Sequence, residues 1–258
     1  MKISEIKDKL KNSNVSDELL LELSNDERIG VKKLLDSYYK QISKEKIQQE
    51  EYASRTIYEQ KCYNLGYKYI CGIDEVGRGP LAGPVVAAAV ILKKDSYFPG
   101  LADSKKLTKA KREELYSKIV EECLDYSIVE LDNKQIAKHN IYNATKIAMI
   151  KAVNNLSIKP DFLLIDAMPL DIPDINSHSI IKGDDKSVSI AAASVIAKVY
   201  RDRLMEQYAI KYPYYDFENN MGYGTKKHLI GLEKYGVCDI HREDYEPIKS
   251  MLKFKNNK

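Results

Sequence analysis

The stretch YICGIDEVGRGPLAGP, residues 69–84, is followed directly by the apolar run VVAAAVIL at residues 85–92. It places two adjacent acids, Asp74 and Glu75, at the end of a short apolar segment and just before a glycine-rich turn that contains Arg78. A strand running inward through this segment would carry both carboxylates to the edge of a buried sheet, where a charge is costly unless it is paired or bound to a metal. The glycines allow the backbone to approach a ligand closely. The stretch therefore predicts a site that handles a phosphate group through metal ions.

The composition sets broad limits on the architecture. A chain of 258 residues is long enough for one large domain, or for one domain with an appendage. The formal net charge is +3, and residues 1–66 carry equal numbers of acidic and basic side chains, so the whole excess lies in the remainder. That distribution weakly favours a polyanionic partner.

The four cysteines are scattered and lack the spacing of a zinc site, which is typical of free thiols in a reducing compartment. The amino terminus alternates charged and apolar residues, and no stretch approaches the roughly 18 apolar residues of a membrane span. We therefore expect a cytoplasmic protein that does not bind membranes and acts as a monomer.

The chain changes character near residue 66. Across residues 1–66 apolar side chains recur at helical spacing, and Gly66 is placed to end the last helix. This part is expected to be a helical amino-terminal extension. Residues 67–258 alternate strand-like with helical segments, which predicts an α/β domain with a mixed sheet flanked by helices and a helical carboxy-terminal region.

Local signals place several elements of the larger part. A helix is expected after Thr108, and Asp132 with Gln135 forms a capping box ahead of another. Residues 162–165 form an apolar strand, residues 179–181 a second one, and Ser187 opens a long alanine-rich helix.

Acids follow three strand-like segments. Asp74 and Glu75 follow the first, Asp166 the second, and Asp184 the third. An aspartate after a strand is usually a turn former or a helix cap, and Asp184 taken alone fits that description best. Together, acids at neighbouring strand ends would form an oxygen-only site that selects Mg²⁺ or Mn²⁺. Two such ions can activate water and stabilise the leaving oxygen of a phosphodiester.

Residues 72–84 closely resemble the signature of ribonuclease HII, the bacterial type 2 ribonuclease H. Further matches follow in the family's order: DSKKL at 103–107, LID at 164–166, KGD at 182–184, SIAAASVIAKV at 189–199, RDR at 201–203 and GYGTKKH at 222–228. The resemblance implies a ribonuclease H-like fold. It also implies endonucleolytic cleavage of RNA paired with DNA, including single ribonucleotides embedded in duplex DNA.

The resemblance also implies roles for individual residues. The four acids that hold the divalent ions would be Asp74, Glu75, Asp166 and Asp184. The turn that recognises the 2′-hydroxyl and the adjacent phosphate would be Gly77, Arg78 and Gly79. The aromatic residue that packs on the deoxyribose at the RNA–DNA junction would be Tyr223. Recognition of the 2′-hydroxyl agrees with the chemistry, because this group distinguishes RNA from DNA.

Two departures from the family pattern matter. Ala167 stands after the third acid, where the family usually has glycine, and the helical extension is absent from the shortest members. The sister family, ribonuclease HIII, has a threonine where Arg78 stands, so this arginine favours type HII.

Other polar residues are weaker candidates. Lys105 could contact phosphate from a loop, and Lys198 shares a helical face with Ser194. His228 is expected to be a helix residue near the substrate and not a ligand, and the other three histidines, His139, His178 and His241, show no constellation. Ser194 lacks a histidine partner for nucleophilic chemistry. Two alternatives stay open: a phosphatase or nuclease of other specificity that uses the same acids, and a duplex-binding module that has lost cleavage. The second is disfavoured because duplex binding gains nothing from clustered carboxylates.

Overall fold

The computed structural model describes residues 1–11 and 15–256. It divides into two compact units, residues 1–53 and residues 54–258. Each unit is described below by itself.

The first unit is helical, as the sequence predicts. It contains α1 (Ile3–Leu10), α2 (Asp17–Ser24) and most of α3 (Ile29–Arg55). One side chain from each helix, Ile6, Leu23 and Val31, is buried in a small shared apolar core.

The second unit alternates strands and helices around one sheet. Its elements in chain order are α4 (Ile57–Asn64), β1 (Ile70–Val76), β2 (Val85–Ile91), a 3₁₀ turn (Ser104–Lys106), α5 (Lys109–Glu122), β3 (Asp125–Leu131), α6 (Asn133–Asn154), β4 (Phe162–Asp166), β5 (Asn176–Ile180), a second 3₁₀ turn (Gly183–Asp185), α7 (Val188–Lys211), α8 (Phe217–Asn220), α9 (Lys226–Tyr235) and α10 (Ile248–Asn256).

The sheet is mixed, with strand order β3-β2-β1-β4-β5. β2 pairs antiparallel with both β1 and β3, whereas β4 pairs parallel with both β1 and β5. The predicted mixed sheet is thus confirmed. The edge strand β3 was not predicted, because its burial alternates weakly and Tyr126 on it is exposed.

Helices cover both faces of the sheet. Cys71 and Ile73 of β1 pack into an apolar core with residues of α6. Gly72 lies between them and faces the opposite way, toward α7, because side chains alternate along a strand. A Cβ atom on Gly72 would lie 2.0 Å from the carbonyl carbon of Ser189. The glycine therefore allows α7 to lie directly against the central strand.

The predicted helix starts are confirmed at Thr108, Asp132 and Ser187, each of which caps the following helix with its side chain. The first strand differs from the expectation. β1 continues to Val76, so Asp74 and Glu75 lie on the strand and not beyond its end.

The limit of the helical extension at residue 66 stays a prediction. Gly66 has a φ of +94° after the end of α4, as expected of a glycine at a helix end. The compact units divide earlier, at residue 53, so α4 packs within the second unit. None of the helices in residues 1–11 and 15–256 combines the length and the apolar character that a membrane crossing requires.

Candidate active site

Three aspartates from separate segments of the chain meet at one edge of the sheet. Oxygen atoms of Asp74, Asp166 and Asp184 all lie within 4.8 Å of one another. The sheet explains the first contact: Ile73 of β1 pairs with Ile165 of β4 in parallel register, so the next residue on each strand is an acid. The predicted convergence of acids from three segments is therefore seen for these three residues.

The third aspartate lies in a 3₁₀ turn that is tied to the second. The Gly183 amide donates a 2.6 Å hydrogen bond to Asp166 Oδ1. A Cβ atom on Gly183 would lie 2.6 Å from Ile190 Cδ1 and 3.3 Å from Asp166 Oδ1. The backbone can approach Asp166 this closely because residue 183 is a glycine, and the approach brings Asp184 to the cluster.

Burial and mutual repulsion oppose ionisation of these acids. Burial raises the pKa of Asp74 well above its usual value, and the charges of Glu75 and Asp166 raise it further. Burial, followed by the charges of Asp103 and Asp166, raises the pKa of Asp184 to about 6. A divalent cation among these oxygens would remove both penalties, because it favours the ionised form of every carboxylate around it. The all-oxygen donor set suits Mg²⁺ or Mn²⁺.

Glu75 lies outside this group of three. As the neighbour of Asp74 on β1, its side chain starts on the other face of the strand. Its Oε1 is 3.5 Å from Nη1 of Arg78, whose side chain is 44% exposed. Burial raises the pKa of Glu75; the charge of Arg78 lowers this pKa, and the charge of Asp166 raises it.

The turn Ser104–Lys106 brings a lysine toward the acids. The buried hydroxyls of Ser104 and Ser194 are 2.9 Å apart, which attaches the turn to α7. Desolvation lowers the pKa of Lys105, but the charges of Asp103, Asp184 and other acids outweigh it and raise the pKa overall. Lys105 therefore lies within the electrostatic field of the cluster, and its contact with phosphate stays a prediction.

Lys198 is held by a different partner. Its Nζ lies 2.6 Å from Oδ1 of Asp202, one helical turn later on α7. Arg112 lies 3.7 Å from the other oxygen of the same carboxylate. The lysine is thus part of an ion-pair group, and a phosphate role for it stays a prediction.

Two buried arginines donate hydrogen bonds to backbone carbonyls of the glycine-rich loop. Arg201 and Arg242 are both 0% exposed. Arg201 donates to the carbonyls of Ala82 and Pro84, at 3.2 and 3.0 Å. Arg242 donates to the carbonyls of Gly77, Arg78 and Gly83.

This arrangement fixes the direction of the loop's amides. In a trans peptide the C=O and the following N–H point in opposite directions. Because the Gly77 and Arg78 carbonyls face Arg242, the N–H groups of Arg78 and Gly79 face away from it. Both of these residues are exposed. The loop therefore presents two amides to its outer side.

The two glycines of this turn have different structural roles. Gly77 has a φ of +92°, and a Cβ there would lie 2.3 Å from Arg201 Nε and 2.6 Å from the Pro84 carbonyl oxygen. Gly79 has room, since its Cβ would meet only Tyr223 Cε1, at 3.5 Å. Gly77 is thus required by the fold, whereas Gly79 keeps the space beside Tyr223 open.

Tyr223 is 49% exposed, and its backbone carbonyl contacts one ring of a buried histidine pair. His228 Nδ1 lies 2.9 Å from the Tyr223 carbonyl oxygen, and its Nε2 lies 2.9 Å from Nε2 of His241. The Cys238 amide donates to His241 Nδ1 at 2.9 Å, so His241 carries its proton on Nε2 and donates to His228. Burial lowers the pKa of both rings, that of His241 to about 4. The expectation that His241 belongs to no constellation is wrong, because it pairs with His228.

Sequence reasoning missed several supporting residues. Arg242, His241 and Glu59 are each fully or almost fully buried and make polar contacts with distant parts of the chain. Arg242 contacts a residue 165 positions away, so no local spacing indicates it. The segment 222–228 did point to His228, but not to its partner.

The comparisons with known proteins identify the family of the chain. The chain matches the family described as Ribonuclease HII over residues 71–248, and the Ribonuclease HII N-terminal domain over residues 2–63. It is 52% identical to the ribonuclease HII of Listeria monocytogenes serovar 1/2a over 248 residues, which cover 96% of this chain and 95% of the relative. For the ribonuclease HII of Bacillus licheniformis the identity is 51%, with 96% and 97% covered.

Solved structures support the predicted ribonuclease H-like fold. Ribonuclease H2 from Pyrococcus horikoshii OT3 superposes with a TM-score of 0.64 at 27% identity, covering 74% of this chain and 100% of that one. Bst-RNase HIII in complex with Mn²⁺ superposes with a TM-score of 0.55 at 20% identity, covering 76% and 73%, and bears on the fold alone. With both family matches and relatives aligned over nearly their full length, the chain belongs to the ribonuclease HII family.

Proposed function

We propose that this ribonuclease H cleaves the RNA strand of RNA–DNA hybrids and also cuts at ribonucleotides embedded in duplex DNA, by two-metal-ion hydrolysis of the phosphodiester. Family membership supports the ribonuclease H activity on hybrids. The observation that carries the proposal is the juxtaposition of the three-aspartate cluster with a loop that presents amides and an exposed arginine.

The acids would hold the metal. Asp74, Asp166 and Asp184 offer oxygens that lie close enough together to share a cation, and Glu75 senses the same cluster from the adjoining strand position. Bound Mg²⁺ or Mn²⁺ would supply an activated water and stabilise charge on the phosphodiester oxygens. The protein contributes the fixed geometry, through the register of β1 with β4 and the hydrogen bond from Gly183 to Asp166.

The glycine loop would recognise the ribose. The amides of Arg78 and Gly79 point to its outer side, where they can donate to a 2′-hydroxyl or to a phosphate oxygen. Tyr223 lies beside Gly79 and would pack on the sugar of the neighbouring deoxynucleotide. A site built to bind a hydroxyl rejects a sugar that lacks it, because its polar groups are then left unpaired.

Positive charge near the acids would hold the backbone of the substrate. Among the residues that the structure describes, the half-exposed guanidinium of Arg78 contacts Glu75 alone, at 3.5 Å, and it retains donors for a phosphate. Lys105 contributes a second positive charge. Lys198 would contribute only by exchanging Asp202 for a phosphate oxygen.

A cytoplasmic location and a monomeric state belong to the same proposal. All four cysteines are free thiols, which supports a reducing compartment.

One assay tests the proposal. A labelled DNA duplex with a single ribonucleotide is incubated with the purified protein in Mn²⁺, in Mg²⁺ or in a chelator, beside an all-DNA duplex and an RNA–DNA hybrid of the same sequence. We expect ion-dependent cleavage of both ribonucleotide-containing substrates and none of the all-DNA duplex. Cleavage of all three duplexes alike would indicate a nuclease of other specificity.

The variant Asp74→Asn provides the matched test of the metal site. It removes a metal ligand without adding bulk, so cleavage should be lost while hybrid binding, measured by fluorescence anisotropy, survives. More than a few per cent of wild-type activity in saturating Mg²⁺ would contradict the assignment of Asp74.

A further inference from the structure

Glu59 of α4 is a buried acid that lies outside the cluster of aspartates. Its side chain is 4% exposed. Oε1 accepts a 2.5 Å hydrogen bond from the Ser187 hydroxyl and a 3.0 Å bond from the Ser189 amide. Within the described part of the chain, Oε2 has no hydrogen-bond partner. An acid kept almost fully out of water, with half of its hydrogen-bonding capacity unused, is costly to the fold.

The contact is made at the first turn of α7. Ser187 is the N-cap of this 24-residue helix, and its hydroxyl also accepts from the Ile190 amide at 3.2 Å. Glu59 therefore binds two groups of the helix start, the N-cap hydroxyl and the free N–H of Ser189. Helix N-termini favour an acidic partner, because their first amides have no acceptor within the helix.

The same serine lies just beyond the turn that carries Asp184. The Lys186 and Ser187 amides both donate to the Gly183 carbonyl, at 2.9 and 2.8 Å, so Ser187 is bonded to the first residue of the 3₁₀ turn. The Gly183 amide in turn donates to Asp166. The turn is thus attached to a cluster aspartate at its start and, through Ser187, to Glu59.

We propose that Glu59 is a positioning residue for the acid cluster: by holding Ser187, it fixes the turn that places Asp184 next to Asp74 and Asp166. The inference rests on the proposed function, because it assumes that the cluster binds metal. It also assigns a role to part of the segment that matches the family's N-terminal domain, since residue 59 lies within the match at 2–63.

The chemistry of Glu59 predicts which substitutions are tolerated. Burial raises the pKa of Glu59, against the lowering effect of the hydrogen bonds from Ser187 and Ser189. Glu59→Gln keeps a carbonyl oxygen for both hydrogen bonds and should preserve the turn. Glu59→Ala removes the acceptor and should release it.

Calorimetric titration of the full chain with Mn²⁺ alone tests the proposal. We expect Glu59→Ala to raise the Mn²⁺ dissociation constant roughly tenfold, the lower end of the range for residues that support metal ligands. The dissociation constant of Glu59→Gln should stay within about twofold of the wild-type value, since the glutamine keeps the hydrogen-bond acceptor. Cys62→Ala is the matched control, because Cys62 is buried on the same helix and packs in an apolar cluster.

Amide hydrogen exchange supplies a readout that does not depend on metal. Glu59→Ala should accelerate exchange over residues 183–190, and Cys62→Ala should not. If Glu59→Ala does not fold, Ser187→Ala carries the same expectation for both measurements. Wild-type Mn²⁺ affinity in the alanine variant, or an equal loss in Cys62→Ala, would overturn the proposal.

The two proposals fail in different ways. If the wild-type protein itself binds no Mn²⁺, or if Asp74→Asn binds it equally well, the metal site is wrong and the inference falls with it. If wild type binds Mn²⁺ through Asp74 and Glu59→Ala binds it equally well, the proposed function stands and the role of Glu59 is refuted.

Discussion

Ala167 has a backbone conformation that favours glycine, and Ala167→Gly should stabilise the protein. Its φ is +49°, in the left-handed region. Its amide donates a 3.0 Å hydrogen bond to the Ile180 carbonyl, so the pairing of β4 with β5 holds this conformation in place. The residue directly follows Asp166, at the position where the family usually has a glycine.

The expected gain follows from two opposing effects. The left-handed conformation costs an L-residue about 1–2 kcal/mol. A glycine removes this cost but gives the unfolded chain more freedom, which returns about 0.4–1 kcal/mol. Ala167 is exposed, so its methyl group contributes little burial. At the midpoints of these two ranges the free energy of unfolding should therefore rise by about 0.8 kcal/mol, and the melting temperature by about 2–3 °C for a protein of this size.

Urea titration and calorimetry of three proteins test the prediction: wild type, Ala167→Gly and Ala137→Gly. Ala137 is exposed on α6, where glycine costs about 0.5–1 kcal/mol, so the same chemical change should have opposite signs at the two sites. Cleavage should be unchanged in Ala167→Gly, because Gly183 still fixes the Asp166 carboxylate. Equal destabilisation by both substitutions would refute the argument from backbone strain.

Three further predictions follow from the site and the division of the chain. Burial and neighbouring charges raise the folded-state pKa of Asp184 to about 6, so the folded protein takes up a proton at a higher pH than the unfolded chain does. The metal-free protein should therefore become more stable as the pH falls from 7 to 4, and chemical denaturation should show a flatter pH profile in Asp184→Asn. Gly79→Ala should keep the wild-type melting temperature yet reduce cleavage at a single ribonucleotide, whereas Gly77→Ala should lose at least about 1–2 kcal/mol of stability. Equal melting temperatures for the two variants would contradict the different roles assigned to these glycines. A protein starting at Ser54 should unfold in one cooperative transition. A protein starting at Tyr67 should melt at a lower temperature, because it lacks α4. Identical melting curves for the two truncated proteins would show that α4 does not contribute to the stability of the second unit.

The acids of the cluster could be predicted because each of them follows a strand-like segment in the sequence. Asp166 follows four apolar residues, and the parallel register then places it beside Asp74. The exact end of β1 could not be predicted, since Asp74 and Glu75 have a low strand propensity. They nevertheless pair with β2 and so extend the strand. Tertiary pairing overrode local propensity there.

The supporting residues could not be predicted because their partners are remote in sequence. Glu59 and Ser187 are separated by 128 positions. His228 contacts His241, which lies beyond the end of the helix that carries His228. Each of these contacts exists only after the chain has folded around the sheet. From the sequence alone, a buried charged or polar residue of a helix cannot be distinguished from one that is exposed to solvent.

The protein buries unfavourable charge of both signs around the proposed substrate site. The acid cluster gathers carboxylates whose pKa values are raised by burial and by one another. On the other side of the glycine loop, burial lowers the pKa of Arg201 to about 10 and that of Arg242 as well, and the hydrogen bonds of both go mainly to backbone carbonyls. Neither arrangement would be selected for stability alone, since an uncompensated buried charge is costly. Both become favourable in the proposed complex, where divalent cations neutralise the acids and a phosphate at the outer amides interacts with the field of the two arginines. The same buried charges that weaken the free protein would therefore favour the binding of metal and nucleic acid together in that proposed complex.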